Sequence, residues 1–336
     1  MKGFKRMVIS RTDSIGDVIL SLPVAGMMKK MFPETEIVFL GRSYTRDVIE
    51  ACANIDSFVN WDDINALKDD EAVRAFKTLE ADAIIHIFPR RRIAKLARKV
   101  RIPFRMGTTN RIYHWTTCNN LVRLSRRNSD LHEAQLNLKL MASLTGTEIL
   151  PIEEIKKLYG LSKVAPPDQQ FIALTDTKKF NLILHPKSKG SAREWGIDNF
   201  IKLCGILPPE KYRIFVSGTA EEGRMINNSG IFEHQHVTDI TGKMNLSAFM
   251  SFIRHCDGLV AASTGPLHLA AALGTIAIGI YPPIRPMHPG RWAPIGDKAT
   301  FLVKDKECQK CRKQGPCECM LDISPEEVKE TLIRMS

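Results

Sequence analysis

Short apolar runs that recur between helix-patterned stretches restrict this chain more than any other feature. Arg6-Met-Val-Ile-Ser10 is the first such run, followed by a glycine-containing turn and a helical pattern. Residues 36–40 and 81–87 repeat the strand signal, with a helical pattern over 70–79 between them. Strands alternating with helices predict a parallel sheet in an α/β layer fold. Ser162, Pro166, Pro167 and Asp168 then interrupt the periodicity, after which it restarts with strand signals at 181–184, 213–216, 258–261 and 276–281. A chain of 336 residues is long enough for two domains, and the break predicts a division into 1–165 and 166–336. In the second half Asp198 is expected to cap a helix carrying Phe200, Leu203 and Leu207, and Asn245 to cap another. Ser324, Pro325 and Glu327 form the start of a last helix, 325–335, expected to pack back on the first domain.

Charge is unevenly placed. No acidic residue lies between Asp82 and Asp130, whereas that interval holds twelve Lys and Arg residues, from Arg90, Arg91 and Arg92 to Arg123, Arg126 and Arg127. The formal net charge of the whole chain is +11, so everything outside the interval is close to neutral. A solvated face would explain an ordinary charge run. The absence of any acid favours a surface for an anion. Only Phe104, Tyr113 and Trp115 interleave with these charges and no nucleic-acid motif is visible, so a nucleic-acid-binding module is the least favoured reading.

Three loops carry chemistry. The first, Arg11-Thr-Asp-Ser-Ile-Gly-Asp17, follows the first strand, at the edge where open α/β sheets bind ligands. Asp17 reads equally as a helix-start carboxylate or as a functional one, and Asp13 competes for any carboxylate role, though shaping the loop is its favoured reading. The second runs from His185 through Lys187, Ser188, Lys189, Gly190, Ser191 and Arg193 to Trp195. Its charged and neutral donors suit a diphosphate, and Trp195 reads as packing. The third, Ser263-Thr264-Gly265-Pro266-Leu267-His268, opens a helix whose N-terminus suits a phosphate. His268 reads either as a reach toward that anion or as packing beside the loop. GxxxxGK[ST] and GxGxxG are both missing from the sequence.

Met1–Arg6 has no apolar run behind it, and the longest uncharged stretch, 266–284, is too interrupted to span a membrane, so a cytoplasmic location is expected. The eight cysteines are then expected as thiols rather than disulfides. Cys308, Cys311, Cys317 and Cys319 are spaced irregularly for zinc, and a metal there is the minority reading.

Taken together, the Thr12–Ile19 loop, the His-Pro-x-Ser-x-Gly-Ser loop ending in Arg-x-Trp, and Ser-Thr-Gly-Pro-Leu-His-Leu-Ala-Ala-Ala-Leu-Gly resemble glycosyltransferase family 9, the heptosyltransferases of lipopolysaccharide core synthesis. The resemblance implies a GT-B fold, with two Rossmann-like domains facing each other across a cleft, acceptor on the first and nucleotide sugar on the second. It implies inverting, metal-independent heptose transfer from ADP-heptose to an inner-core lipopolysaccharide acceptor, with no cofactor. By the same resemblance Asp17 is the catalytic base. The donor would meet Lys187, Ser188, Lys189, Arg193, Met244, Ser263, Thr264, Gly265 and His268, with Glu221 or Glu222 at the ribose and Glu222 preferred. Arg90, Arg91, Arg92 and Arg123 would meet the acceptor. The expected protein is a monomer, peripheral at the cytoplasmic face of the inner membrane. Ser263 and Lys187 depart from the pattern of well-studied members. A sugar-nucleotide epimerase of the same fold, or transfer of another sugar, are the alternatives.

Overall fold

The computed structural model describes residues 3–304 and 317–336. The chain divides into two compact units, Met1–Lys163 and Val164–Ser336. Each holds one six-stranded sheet.

In the first unit the strands are β1 (Arg6–Ser10), β2 (Glu36–Gly41), β3 (Ser57–Asn60), β4 (Ala83–His86), β5 (Phe104–Thr108) and β6 (Asn120–Val122). Their order is β3-β2-β1-β4-β5-β6, all neighbours parallel. Met7, Val8 and Ile9 are each fully buried. A strand covered on both faces needs apolar residues at every position, so β1 is a continuous apolar run and not an alternating one. Val8, Val38 and Ile84 from the sheet pack with Phe76, Ile93 and Leu96 from the covering helices.

The second unit repeats the plan with β7 (Phe180–His185), β8 (Tyr212–Val216), β9 (Val237–Asp239), β10 (Gly258–Ala262), β11 (Ile276–Tyr281) and β12 (Ala299–Val303). Their order is β12-β11-β10-β7-β8-β9, again all parallel. Read from β9, this is the order of the first sheet. Each sheet therefore has one point where successive connections leave in opposite directions, between β1 and β4 and between β7 and β10. The crevice at the carboxyl end of such a pair is where this class of sheet binds ligands.

Local signals explain the helix ends. Asn245 accepts a hydrogen bond from Ala248 N and caps Leu246–His255, as expected. Ser324 and Glu327 form a reciprocal capping box at Pro325–Met335. Asp198 is not a cap. Gly196, at φ 92°, turns the chain and the helix runs Ile197–Ile206, which leaves Asp198 in its first turn, where the helix dipole still favours a carboxylate. Within the second unit the last helix packs on Ile197–Ile206 and near β11. Its buried Val328 and Leu332 join Trp195, Phe200 and Ile278 in the core of the second unit.

Candidate active site

In the first unit the loop after β1 is organised by Arg11, whose side chain is only 2% exposed. Its Nε and Nη2 donate to Asp13 Oδ1 and Oδ2 at 2.8 and 3.0 Å. Nη2 also donates to Asp17 Oδ1, and Nη1 to Glu133 Oε1 and Asn137 Oδ1, both at 3.1 Å. Burial opposes the Arg11 charge, but Asp13, Asp17 and Glu133 outweigh it and hold the guanidinium protonated beyond its usual range. Asp17 stands in the first turn of the helix Ile15–Ile19, 20% exposed. Its second oxygen accepts from the Ser14 hydroxyl. One carboxylate is thus held at both oxygens while still reaching solvent.

Asp13 does shape the loop, as its place in the sequence suggested. Its two oxygens are taken by Arg11, and its carbonyl accepts from the Tyr44 hydroxyl. Burial pushes the Asp13 carboxyl above its usual range. Arg11 pulls against this, and the neighbouring Asp17 charge adds to it. Across the crevice, Arg90 leaves the loop after β4 and donates to Thr12 Oγ1 at 3.1 Å and to the Thr12 carbonyl at 3.2 Å, its guanidinium 4.8 Å from the Phe88 ring centroid. Arg91 and Arg123 are exposed. Arg92 turns elsewhere, to the carbonyls of Asn65 and Leu67 and to Asp69. Arg126 points inward, donating to Glu133, Asn137 and the Ile87 carbonyl.

The sequence assigns no role to Arg11, Glu133 or Asn137, and places Arg126 only among the cations of the basic segment. Arg11 alone had a local signal, an arginine just past a buried strand with two aspartates within six residues. The others meet it only through the fold.

In the second unit, Ala261 and His185 are register partners, so the loops after β7 and β10 leave adjacent strands on one edge. The β7 loop is tied by Glu194, which the sequence reading passed over. It accepts from Lys187 Nζ at 2.5 Å, from Ser188 N at 3.1 Å and from Ser188 Oγ at 3.2 Å. Lys189 and Gly190 turn outward at φ 48° and 76°, with Lys189 exposed and Arg193 half-buried. Trp195 is fully buried, its indole donating to the Ile323 carbonyl at 2.8 Å, so it packs, as expected. His185 donates or accepts at Ser217 Oγ, 3.0 Å away, and burial lowers its pKa to about 4.

After β10, Thr264 is the N-cap of Gly265–Leu273, with Pro266 in the first turn. Among the described residues the buried Thr264 Oγ1 has no hydrogen-bond partner. The free N–H groups of this nine-residue helix start beside it. His268 lies buried in the same first turn. Ser263 lies beside the hydroxyl of the buried Tyr281.

Glu222 is buried and accepts from Thr219 N and Oγ1 at 2.7 and 3.0 Å, closing a capping box on the helix Ala220–Ile226. Glu221 is exposed. Gly223 brings this helix against the turn that leads to Met244, for a Cβ there would lie 2.1 Å from Thr241 Oγ1. Glu222 and the Met244 turn are therefore neighbours, while Met244 itself is half-buried.

No group of three or more His, Cys, Asp or Glu among the described residues could hold a metal. Cys317 and Cys319 are buried in the second core, and Cys308 and Cys311 lie outside the described residues. Cys52, Cys118 and Cys204 are buried, which pushes their thiols up to about 11, 11 and 12.

The model of glycosyltransferase family 9 (heptosyltransferase) matches residues 72–320. A Haemophilus influenzae protein, named only as a glycosyltransferase, is 26% identical over 87% of this chain and 87% of its own. The lipopolysaccharide core heptosyltransferase OpsX of the same organism is 23% identical over 91% and 86%. Among solved structures, a glycosyl transferase family 9 protein from Veillonella parvula matches with a TM-score of 0.77 at 21% identity, covering 99% of this chain and 97% of the other. Escherichia coli ADP-heptose lps heptosyltransferase II matches with a TM-score of 0.75 at 17% identity, covering 98% of each. The two structural likenesses establish the fold, which is GT-B.

Proposed function

The chain belongs to glycosyltransferase family 9, and from that premise we propose that it moves heptose from ADP-heptose to an inner-core lipopolysaccharide acceptor, inverting the anomeric centre without a metal. Asp17 is the base. It takes the proton of an acceptor hydroxyl, whose oxygen forms a bond to the anomeric carbon from the face opposite the diphosphate. The bond from that carbon to the diphosphate oxygen breaks, and ADP leaves with the electron pair.

The observation that carries this reading is the setting of Asp17. It lies at the β1–β4 crevice, held at both oxygens by Arg11 and Ser14 and still 20% exposed. The two hydrogen bonds fix the direction in which the carboxylate meets an incoming hydroxyl. For the donor, Lys189, Arg193, Ser188 and the helix start at Thr264-Gly265 offer charge and N–H groups to the leaving diphosphate, with His268 beside them. Lys187, Glu222, Met244 and Ser263 complete the donor side. Arg90, Arg91 and Arg123 offer cations to an acidic glycolipid acceptor, and Arg92 would have to leave Asp69 to join them. The protein would act as a monomer at the cytoplasmic face of the inner membrane.

The test is Asp17→Ala assayed with ADP-heptose and acceptor. Transfer is expected to fall about 10²–10⁴-fold, with the thermal shift given by ADP unchanged. Normal turnover would remove Asp17 from the base role. Consumption of donor with no acceptor present would favour the epimerase, and a thermal shift from UDP- or GDP-sugars but not ADP-sugars would favour another donor.

A further inference from the structure

We propose that the face formed by the helices Arg91–Lys99 and Ile112–Thr117 is a docking surface for an anionic lipid bilayer. The short helix presents two large apolar side chains one turn apart, Ile112 at 88% and Trp115 at 63% exposure. Trp115 is the exposed one of the chain's four tryptophans. Its only polar atom is already used, because Nε1 donates to the Thr109 carbonyl at 3.0 Å. The ring is thereby held in place and offers solvent an apolar surface alone.

The surroundings of this pair are cationic. The two helices pack together, and Arg98 bridges them by donating to the Thr116 carbonyl. Lys95, Lys99, Arg101 and Arg111 are exposed nearby in the chain, within the interval that contains no acid. Apolar side chains that insert, with exposed cations of the same segment to meet the headgroups, match the two layers of a bilayer interface. Tryptophan is at home at that boundary. A protein partner fits less well, because the buried centres of protein interfaces are depleted of lysine. A nucleic acid offers an isoleucine nothing to stack on.

This inference deepens the membrane contact in the function proposed above, yet the surface can be tested with no substrate present. Co-sedimentation with phosphatidylcholine vesicles, with and without phosphatidylglycerol, reads binding. The Trp115 emission should shift to the blue on anionic vesicles only, and the shift should vanish in Trp115→Phe. Ile112→Ser with Trp115→Ser should lower partitioning about tenfold or more, as should Lys95→Glu with Lys99→Glu, and salt should weaken it. Both double variants should melt as the parent does and keep its ADP thermal shift.

Parental partitioning of Ile112→Ser/Trp115→Ser would overturn the proposal, as would equal binding to neutral vesicles or tighter binding to duplex DNA. Transfer to a soluble, lipid-free acceptor separates the two readings. If transfer persists while vesicles are ignored, docking fails and the enzyme reading stands. If vesicles bind and no transfer occurs, the reverse holds.

Discussion

Glu133 and Arg11 stand 122 positions apart in the chain, yet Oε1 of one accepts from Nη1 of the other at 3.1 Å, with side chains only 1% and 2% exposed. Arg126 donates to the same oxygen at 3.0 Å. Glu133 thus neutralises two arginines and fixes the direction in which Arg11 presents its remaining nitrogens to Asp13 and Asp17. Its removal would leave the fully buried Arg11 without one of its three carboxylates, beside Arg126. Glu133→Ala is expected to destabilise the first unit by about 3–5 kcal/mol. Glu133→Gln, keeping the shape, is expected to lower kcat with KM little changed. Calorimetric melting and steady-state kinetics check the two expectations, and wild-type kcat in Glu133→Gln would mean that Arg11 aims at Asp17 unaided.

Glu194 organises the β7 loop by accepting from Lys187 and from Ser188 twice. Loops ordered before binding lose less freedom when a ligand arrives. Glu194→Ala is expected to weaken ADP affinity by about tenfold, roughly the worth of one or two hydrogen bonds, with little effect on melting because the loop is peripheral to the core. Calorimetric titration with ADP measures it, and unchanged affinity would place the diphosphate away from this loop.

Gly223 permits the contact between its helix and the turn at Thr241, where a Cβ would come within 2.1 Å of Oγ1 and 2.8 Å of the Thr241 Cβ. Gly223→Ala must push the two apart. Overpacking of this kind costs about 1–3 kcal/mol, and because the turn leads to Met244, nucleotide affinity should fall along with the melting temperature. Gly146→Ala serves as the contrast for crowding, since nothing lies within 4 Å of its added Cβ, although its φ of 69° is itself costly for alanine.

His86 ends β4 fully buried, its ring 5.5 Å from that of His114, and neither of its nitrogens has a hydrogen-bond partner among the described residues. Burial lowers its pKa to about 3, with His114 and Arg105 adding to the effect. Unfolded, the imidazole takes its proton near 6.5. Between those values the unfolded chain binds more protons, so the folded state loses stability as pH falls from about 6.5 toward 3, by about 3 kcal/mol at pH 4. His86→Phe removes the titration and should flatten this acid limb in melts recorded against pH. A limb of unchanged slope would assign acid sensitivity to other groups.

The elements legible in the sequence are those whose signal is local. β1, β7, β10 and β11 are apolar at nearly every position because both faces are covered, and Asn245 and Ser324 cap the helices that directly follow them. Thr264-Gly265-Pro266 shows a helix start by residue type alone. β3, β5, β6, β9 and β12 escaped because they are only partly buried and carry polar residues, such as Ser57, Asn120 and Asp239. Glu133 and Asn137, which hold Arg11 in place, escaped for another reason, since they lie more than a hundred residues from it in the chain and meet it only through folding. The same cause thins the basic segment. Arg105 donates to the Thr117 and Ile102 carbonyls and Arg126 faces inward, so fewer cations meet solvent than the bare count implies.

The shared strand order of the two sheets has a consequence for how such chains diversify. Whatever sits at the β1–β4 crevice and whatever sits at the β7–β10 crevice are encoded on either side of the junction at Lys163 and Val164. Each half owns a complete sheet and its own core. With the acceptor on the first unit and the donor on the second, as proposed above, a lineage can drift in the sugar it accepts while conserving the one it donates, or the reverse, and recombination at that junction can exchange either preference as an intact cassette.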